Sequence, residues 1–410
     1  MKSWLNLCCK YGFVFLQVCL LMASCRSAQE EAMWETRVPG KFYLRNSTVV
    51  ADADSYYIGL DVGQVLALKK STGAVKWQSQ IEAENISSQG ATAKWLAGLW
   101  LLDDRLYVVY DHRLVNEVDR YSGRIVHRWI LPQRGSRYLA YPHFTPQGIV
   151  VLGSDEGVVS AFSLLTGDLA WSISWGTDNN DKWAIPVSVS SRGILCIGSP
   201  IAGESEGGTF LFRETPIRYL SPGTGKVIWE TRAEQFGVTS EGPELGKDYF
   251  NMTKVFERSG KLFFQIKQEL YAVSTYTGSV VWKQSLPDSL QALETTNERV
   301  LVVVGSGMSF SLVVLDAQTG VQVSNVEKLP GIETPFIRRI AIENSHILIW
   351  YTDSSTEVSH TTNLYKIDIE TGYPSLVRTL HEDVVHFARD GSILSSKIEG
   401  DETLLRLWQE

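Results

Sequence analysis

The side chains able to carry chemistry are few, and their spacing excludes most reactions. Gly225-Lys226 could end a phosphate-binding loop, but Leu220 stands where that loop needs its first glycine. Backbone N–H groups would then not close around a phosphate. Ser240 sits in Thr239-Ser240-Glu241-Gly242 behind Val238, so the strained Gly-x-Ser-x-Gly elbow of a serine hydrolase is incomplete. His381 and His386 stand five apart on a turn and a strand, with no cysteine pair or helix to bring both onto one zinc ion. His112, His127, His143, His346 and His360 occur singly and read as structural. Asp103-Asp104 suits a hairpin turn, Gly305-Ser306-Gly307 a hairpin tip, and the acidic run from Gly203 to Gly208 a solvated loop. No catalytic, metal-binding or cofactor-binding residue is assigned.

Cys25 is the one reactive position with a clear use. Lys2 and Lys10 precede an apolar run from Tyr11 to Ser24, which ends in small residues. Residues 1–24 therefore read as a secretory leader, with an apolar run too short for a membrane span. Met22-Ala23-Ser24-Cys25 resembles the processing site of a bacterial lipoprotein. That resemblance implies lipid on Cys25 and a linker over 25–32; plain secretion is the alternative. Cys8, Cys9 and Cys19 leave with the leader, so a lipidated Cys25 would leave Cys196 without a disulfide partner. Without Lys2 and Lys10 the chain carries 36 basic and 46 acidic residues, a formal charge of −10. An acidic chain without a basic stripe is a poor match for nucleic acid.

The elements that would position any site are repeated. Val65 to Trp77 reads as a strand, a Thr-Gly turn at Gly73, and a second strand with Trp77 four residues later. The phrase returns as Gly167 with Trp171, Gly225 with Trp229 and Gly278 with Trp282. Weaker copies lie at Gly123, Gly320 and Gly372, where His127, Ser324 and Leu376 hold the fourth position. The glycines are 50, 44, 58, 53, 42 and 52 residues apart. Such a period, with several strands per unit, predicts an all-β propeller. Glycine supplies the positive φ of the turn, and the tryptophan is expected to fill the wedge between units.

Seven units of four strands, A to D, run from residue 47 to residue 380. Three more strands follow, at 384–388, 392–398 and 403–408. Trp34-Glu35-Thr36-Arg37 mirrors Trp229-Glu230-Thr231-Arg232 on a D strand. The N-terminal strand is therefore expected to complete an eighth blade and close the ring over residues 33–410. Closure removes the open sheet edges that invite aggregation.

Strand order sorts the loops into two faces. A–B and C–D turns share one, and the long B–C and D–A connections share the other. The long ones are 81–93, 132–141, 176–185, 200–209 and 232–251. They predict a binding crescent with Tyr138, Tyr141, Trp183, Phe236, Tyr249 and Phe250 as candidate anchors for a protein partner. A lipid on Cys25 would place the membrane on the opposite, Thr-Gly side.

The Ala-Leu…Thr-Gly…Trp phrase, carried across residues 33–408, resembles the repeat of PQQ-type propellers. Within that group the leader, Cys25 and the expected eight blades are similar to the BamB-type lipoproteins of the outer-membrane β-barrel assembly machinery. That resemblance implies a non-catalytic periplasmic scaffold without a cofactor, anchored to the outer membrane and docked on an assembly partner. The quinoprotein dehydrogenases of the same repeat use adjacent cysteines, calcium and an Asp base; here the only adjacent pair, Cys8-Cys9, lies in the leader. A sugar or small ligand held in the central channel is the remaining alternative.

Overall fold

In a computed structural model, the described residues run from 32 to 409. They exclude 41–48, 61–62, 82–95, 111–113, 132–141, 155–156, 176–183, 199–203, 206–207, 211–214, 240–248, 251–254, 307–308, 328–336, 344–345, 353–359, 369–373 and 388–390. Their strands form eight antiparallel sheets. Blade 1 holds Val49–Ala51, Ser55–Gly59, Gln64–Lys69 and Val75–Gln80. The pattern continues through blade 2 (96–130), blade 3 (143–174), blade 4 (184–198 with 216–232), blade 5 (249–285) and blade 6 (290–326) to blade 7 (337–380), whose outer strand is Pro374–Leu380. Blade 8 takes Asp383–Phe387, Ser392–Glu399 and Glu402–Gln409 from the C-terminus and Trp34–Pro39 from the N-terminus.

Trp34 lies opposite Leu407, and Thr36 opposite Leu405. Side chains reinforce this closure. Trp34 Nε1 donates to the Lys70 carbonyl at 2.7 Å and Thr36 Oγ1 to the Gly73 carbonyl at 2.7 Å. Tyr56 Oη and Ser392 Oγ share a hydrogen bond of 3.1 Å between blades 1 and 8.

The Thr-Gly phrase has the same geometry each time. The glycine N–H donates to the residue four earlier: Gly73 to Lys69, Gly167 to Ser163, Gly225 to Ser221 and Gly278 to Ser274, at 2.8–2.9 Å. The C–D pairing then skips one residue. Ala67 faces Trp77 while Leu68 faces Val75, and Ala272 faces Trp282 while Val273 faces Val280. Blades 1 to 7 all carry this bulge, which sharpens the twist of the outer strand. The skipped side chain turns outward, which explains the exposed Val126, Ile228, Val281 and Val323. In four of these blades the next residue is the repeat tryptophan, and it turns inward.

The core is a series of wedges between neighbouring blades. Trp77 packs with Tyr57, Leu99, Leu106 and Val108 between blades 1 and 2. Trp229 and Tyr219 pack with Leu262 and Phe264 between blades 4 and 5. Each blade is too thin to bury its own faces, so burial is shared.

The fold departs locally from the sequence pattern. The alternation over Phe210–Leu220 reads as one third strand of the fourth unit, but only Pro216–Leu220 pairs with Ile194–Gly198. Gly208–Phe210 pairs instead with Glu204–Ser205 and with Tyr249–Phe250, and Phe250 faces Ile266 of blade 5. Two of the long connections thus join into a small annex on the fifth sheet. The inner strand of that blade is split into Tyr249–Phe250 and Phe256–Arg258, both on Lys261–Ile266.

Candidate functional site

On the face of the long connections, the described residues give a mixed result for the crescent. Tyr138, Tyr141 and Trp183 lie outside the described residues, as does Cys25. Tyr249 and Phe250 sit on the annex strand. Phe236 corrects the expectation of an exposed anchor, because it is 1% exposed. It ends a 3-10 turn, Ala233–Phe236, closed by Gly237 in the left-handed region. Its ring meets Phe264 and Tyr271 edge-on at 5.3 and 5.5 Å, and Tyr271 Oη donates to its carbonyl at 2.6 Å. Phe236 pins its own loop to the core of blade 5.

Among the described residues, buried and half-buried carboxylates are matched within or between blades. Glu117, 2% exposed, meets Arg105 and His127 on blade 2. Glu382 is held by Arg406 and accepts from Ser395. Glu257 accepts from Ser190 at 2.5 Å and Tyr219 at 2.8 Å across blades 4 and 5. Asp52 accepts from the Ser55 amide and from Tyr57 Oη, and the hydrogen bonds hold its carboxyl below the usual range against the opposing effect of burial. Burial pushes the Cys196 thiol far up and His143 down to about 4, so both are neutral near pH 7. Among the described residues no group of three His, Cys, Asp or Glu side chains converges as a metal site would require.

On the opposite face the repeat residues form a chain of locks. Trp77 Nε1 donates to the Arg120 carbonyl at 2.8 Å, Trp171 to Pro222 at 2.8 Å, Trp229 to Thr275 at 3.0 Å and Trp282 to Ala317 at 3.2 Å. Each ring covers the turn glycine of the following blade. A Cβ on Gly225 would sit 2.5 Å from Trp171, and one on Gly278 2.7 Å from Trp229. Two locks lie outside the four-residue spacing. Trp129, six residues after Gly123, covers Gly167, and Trp34 covers Gly73. Strand alternation is the signal for Trp129, since two residues along a strand return to the same side. Tyr121, Leu165 and Tyr276 hold the same place, two before the turn glycine, and stand 63%, 67% and 70% exposed. They were not among the sequence candidates.

Comparisons with known proteins agree on architecture and separate on function. The family model described as outer membrane protein assembly factor BamB matches residues 23–199 and 213–372. The BamB of Yersinia pestis is 21% identical over 225 residues, which are 55% of this chain and 52% of that relative. The chain therefore spans about half the length of the curated relative it matches. The crystal structure of BamB from Moraxella catarrhalis aligns with a TM-score of 0.58 and 12% identity, covering 92% of this chain and 98% of that one. A quinohemoprotein alcohol dehydrogenase from Pseudomonas putida HK5 aligns almost as well, with a TM-score of 0.57, 11% identity, and 93% and 76% coverage. Likeness at such identities shows the fold alone. The family match spans both halves of the ring, and on it the chain belongs to the family of the outer membrane protein assembly factor BamB.

Proposed function

We propose that the chain is an envelope lipoprotein that serves, like BamB, as a non-catalytic scaffold in the assembly of outer-membrane β-barrel proteins. The match of the BamB family model to residues 23–199 and 213–372 carries this reading. Residues 1–24 act as a leader, Cys25 takes the lipid, residues 25–32 form the tether, and 33–410 form one propeller domain in the periplasm. The long connections offer the protein partner a docking face without a reactive centre. Tyr138, Tyr141, Trp183, Tyr249 and Phe250 remain its candidate anchors. The buried carboxylates Glu117 and Glu382 and the half-buried Glu257 support the scaffold reading, because each is committed to neighbours within or between the blades.

Affinity capture of the full chain from native membranes tests the proposal. Co-purification of a β-barrel assembly complex is the expected result. The likeness to an alcohol dehydrogenase defines the opposing outcome: dye reduction with alcohols or sugars after addition of quinone and calcium would replace the scaffold with an enzyme.

A further inference from the structure

The Thr-Gly face carries a set of side chains that ring packing does not explain. Tyr121, Leu165 and Tyr276 project from the C–D turns of blades 2, 3 and 5. Both tyrosines are paired with arginine. The Arg120 guanidinium lies 4.7 Å from the Tyr121 ring centre and donates to its Oη at 2.6 Å. Arg192, from an A–B turn on the same face, donates to Tyr276 Oη at 3.2 Å. An aromatic ring with a polar tip beside a cation is the side-chain chemistry that settles at a lipid–water interface.

The chain enters the fold on this same face. Trp34 begins the closing strand and sits over the turn glycine Gly73. Met33, just before it, is 57% exposed. Residues 26–32 reach about 23 Å when extended, so lipid on Cys25 would hold this face near the bilayer. A short tether makes weak contacts effective by raising their local concentration. The entry point on blade 8 and the tips on blades 2, 3 and 5 are spread around the disc, and such a spread defines a plane. Asp54, Asp103, Asp104 and Asp168 lie in turns of the same face together with Lys69, Arg124, Arg192, Lys226 and Arg258, all exposed, so both signs of charge are interspersed. Charge therefore does not draw it to an anionic surface, and a zwitterionic headgroup layer fits better.

We infer that the Thr-Gly face rests on the zwitterionic lipid surface through Tyr121, Leu165 and Tyr276, leaving the long connections directed away from it. This rests on the lipid-anchor part of the proposed function and not on the identity of the partner.

The test uses the full chain, processed in a lipoprotein-competent host and reconstituted into phosphatidylcholine vesicles. Mass spectrometry of the mature N-terminus reads the lipid on Cys25. That lipid blocks the Cys25 thiol and Cys196 is buried, so a spin label goes only to an introduced cysteine. Gln318→Cys reports on the Thr-Gly face and Gln268→Cys, in a B–C turn, on the opposite one. The expected result is severalfold higher collision with membrane-soluble oxygen, relative to a water-soluble nickel chelate, at 318 than at 268. Combining Tyr121→Ser, Leu165→Ser and Tyr276→Ser should bring 318 down to the value at 268. Equal values in the otherwise unchanged protein, or no effect of the three serines, overturn the inference alone. A site 318 shielded from both reagents by a protein partner also overturns it. An unmodified Cys25 overturns the anchor together with the inference, and the membrane-capture experiment still decides the scaffold.

Discussion

The turn glycines separate two costs that are usually mixed. Gly225 has φ +67°, and a Cβ there would meet the Trp171 ring at 2.5 Å. Gly223, two residues earlier, has nothing within 4 Å of a Cβ. Gly225→Ala is expected to lose about 2–4 kcal/mol from left-handed strain and overpacking, and Gly223→Ala to stay within about 0.5 kcal/mol. Urea midpoints compare them directly, and equal midpoints would refute the lock. The indole N–H gives a second contrast. Trp229→Phe leaves the buried Thr275 carbonyl without its donor and should cost about 1–3 kcal/mol. Trp129 Nε1 has no partner among the described residues, so Trp129→Phe should cost less. His143 gives a pH signature. Its folded pKa of about 4 lies below the ordinary 6.5. Between those values only the unfolded chain binds the proton. The stability is therefore complete above about pH 6.5 and lost as pH falls towards 4, by at most about 3 kcal/mol at about 1.4 kcal/mol per unit. His143→Gln should flatten that slope in urea titrations between pH 4.5 and 7; an unchanged slope would assign it to other groups.

At the level of strands, the sequence made legible what is local and repeated. Gly73 with Trp77 and Gly278 with Trp282 announce a turn and an inward ring within five residues. The mirrored Trp34-Glu35-Thr36-Arg37 likewise announces a closing strand, and Thr36 faces Leu405. What stayed hidden depends on distant partners. Phe210 has the alternation of a blade strand, yet it pairs with Tyr249 because that segment arrives from beyond blade 4. Phe236 lies in a polar loop, yet Phe264 and Tyr271 bury it from the next blade. Trp129 was obscured because His127 holds the repeat position and pairs with Glu117. The closing strand also sets a prediction. A chain beginning at Gly40 loses buried Trp34 and Val38 and bares the edge of Glu402–Gln409. It should lose about 5 kcal/mol or more and self-associate through that edge. Light scattering beside a thermal melt decides; a monomer with an unchanged Tm would show that the eighth blade stands without it.

A closed ring also changes how damage spreads. In an open stack of repeats, stability is a sum of neighbour terms, and a lesion lowers protection mainly beside itself. Here Trp282 locks blade 5 to blade 6, while Trp34 and Thr36, on the outer strand of blade 8, tie the last blade to the first through the Lys70 and Gly73 carbonyls. No blade is terminal, so opening one wedge strains the rest, and the ring should open as a unit. Trp282→Ala removes a buried ring and its hydrogen bond, at about 3–4 kcal/mol. If the ring is cooperative, the slowest amides of blade 2, across the disc, should exchange about two to three orders of magnitude faster, because their protection equals the global free energy. Native-state hydrogen exchange of Arg105–Tyr110 and Leu114–Asp119 reads this far effect. Faster exchange confined to blades 5 and 6 would instead describe a stack bent into a circle. A scaffold that must hold a partner on one face gains from the cooperative alternative, since its docking loops then keep fixed spacing until the whole disc fails.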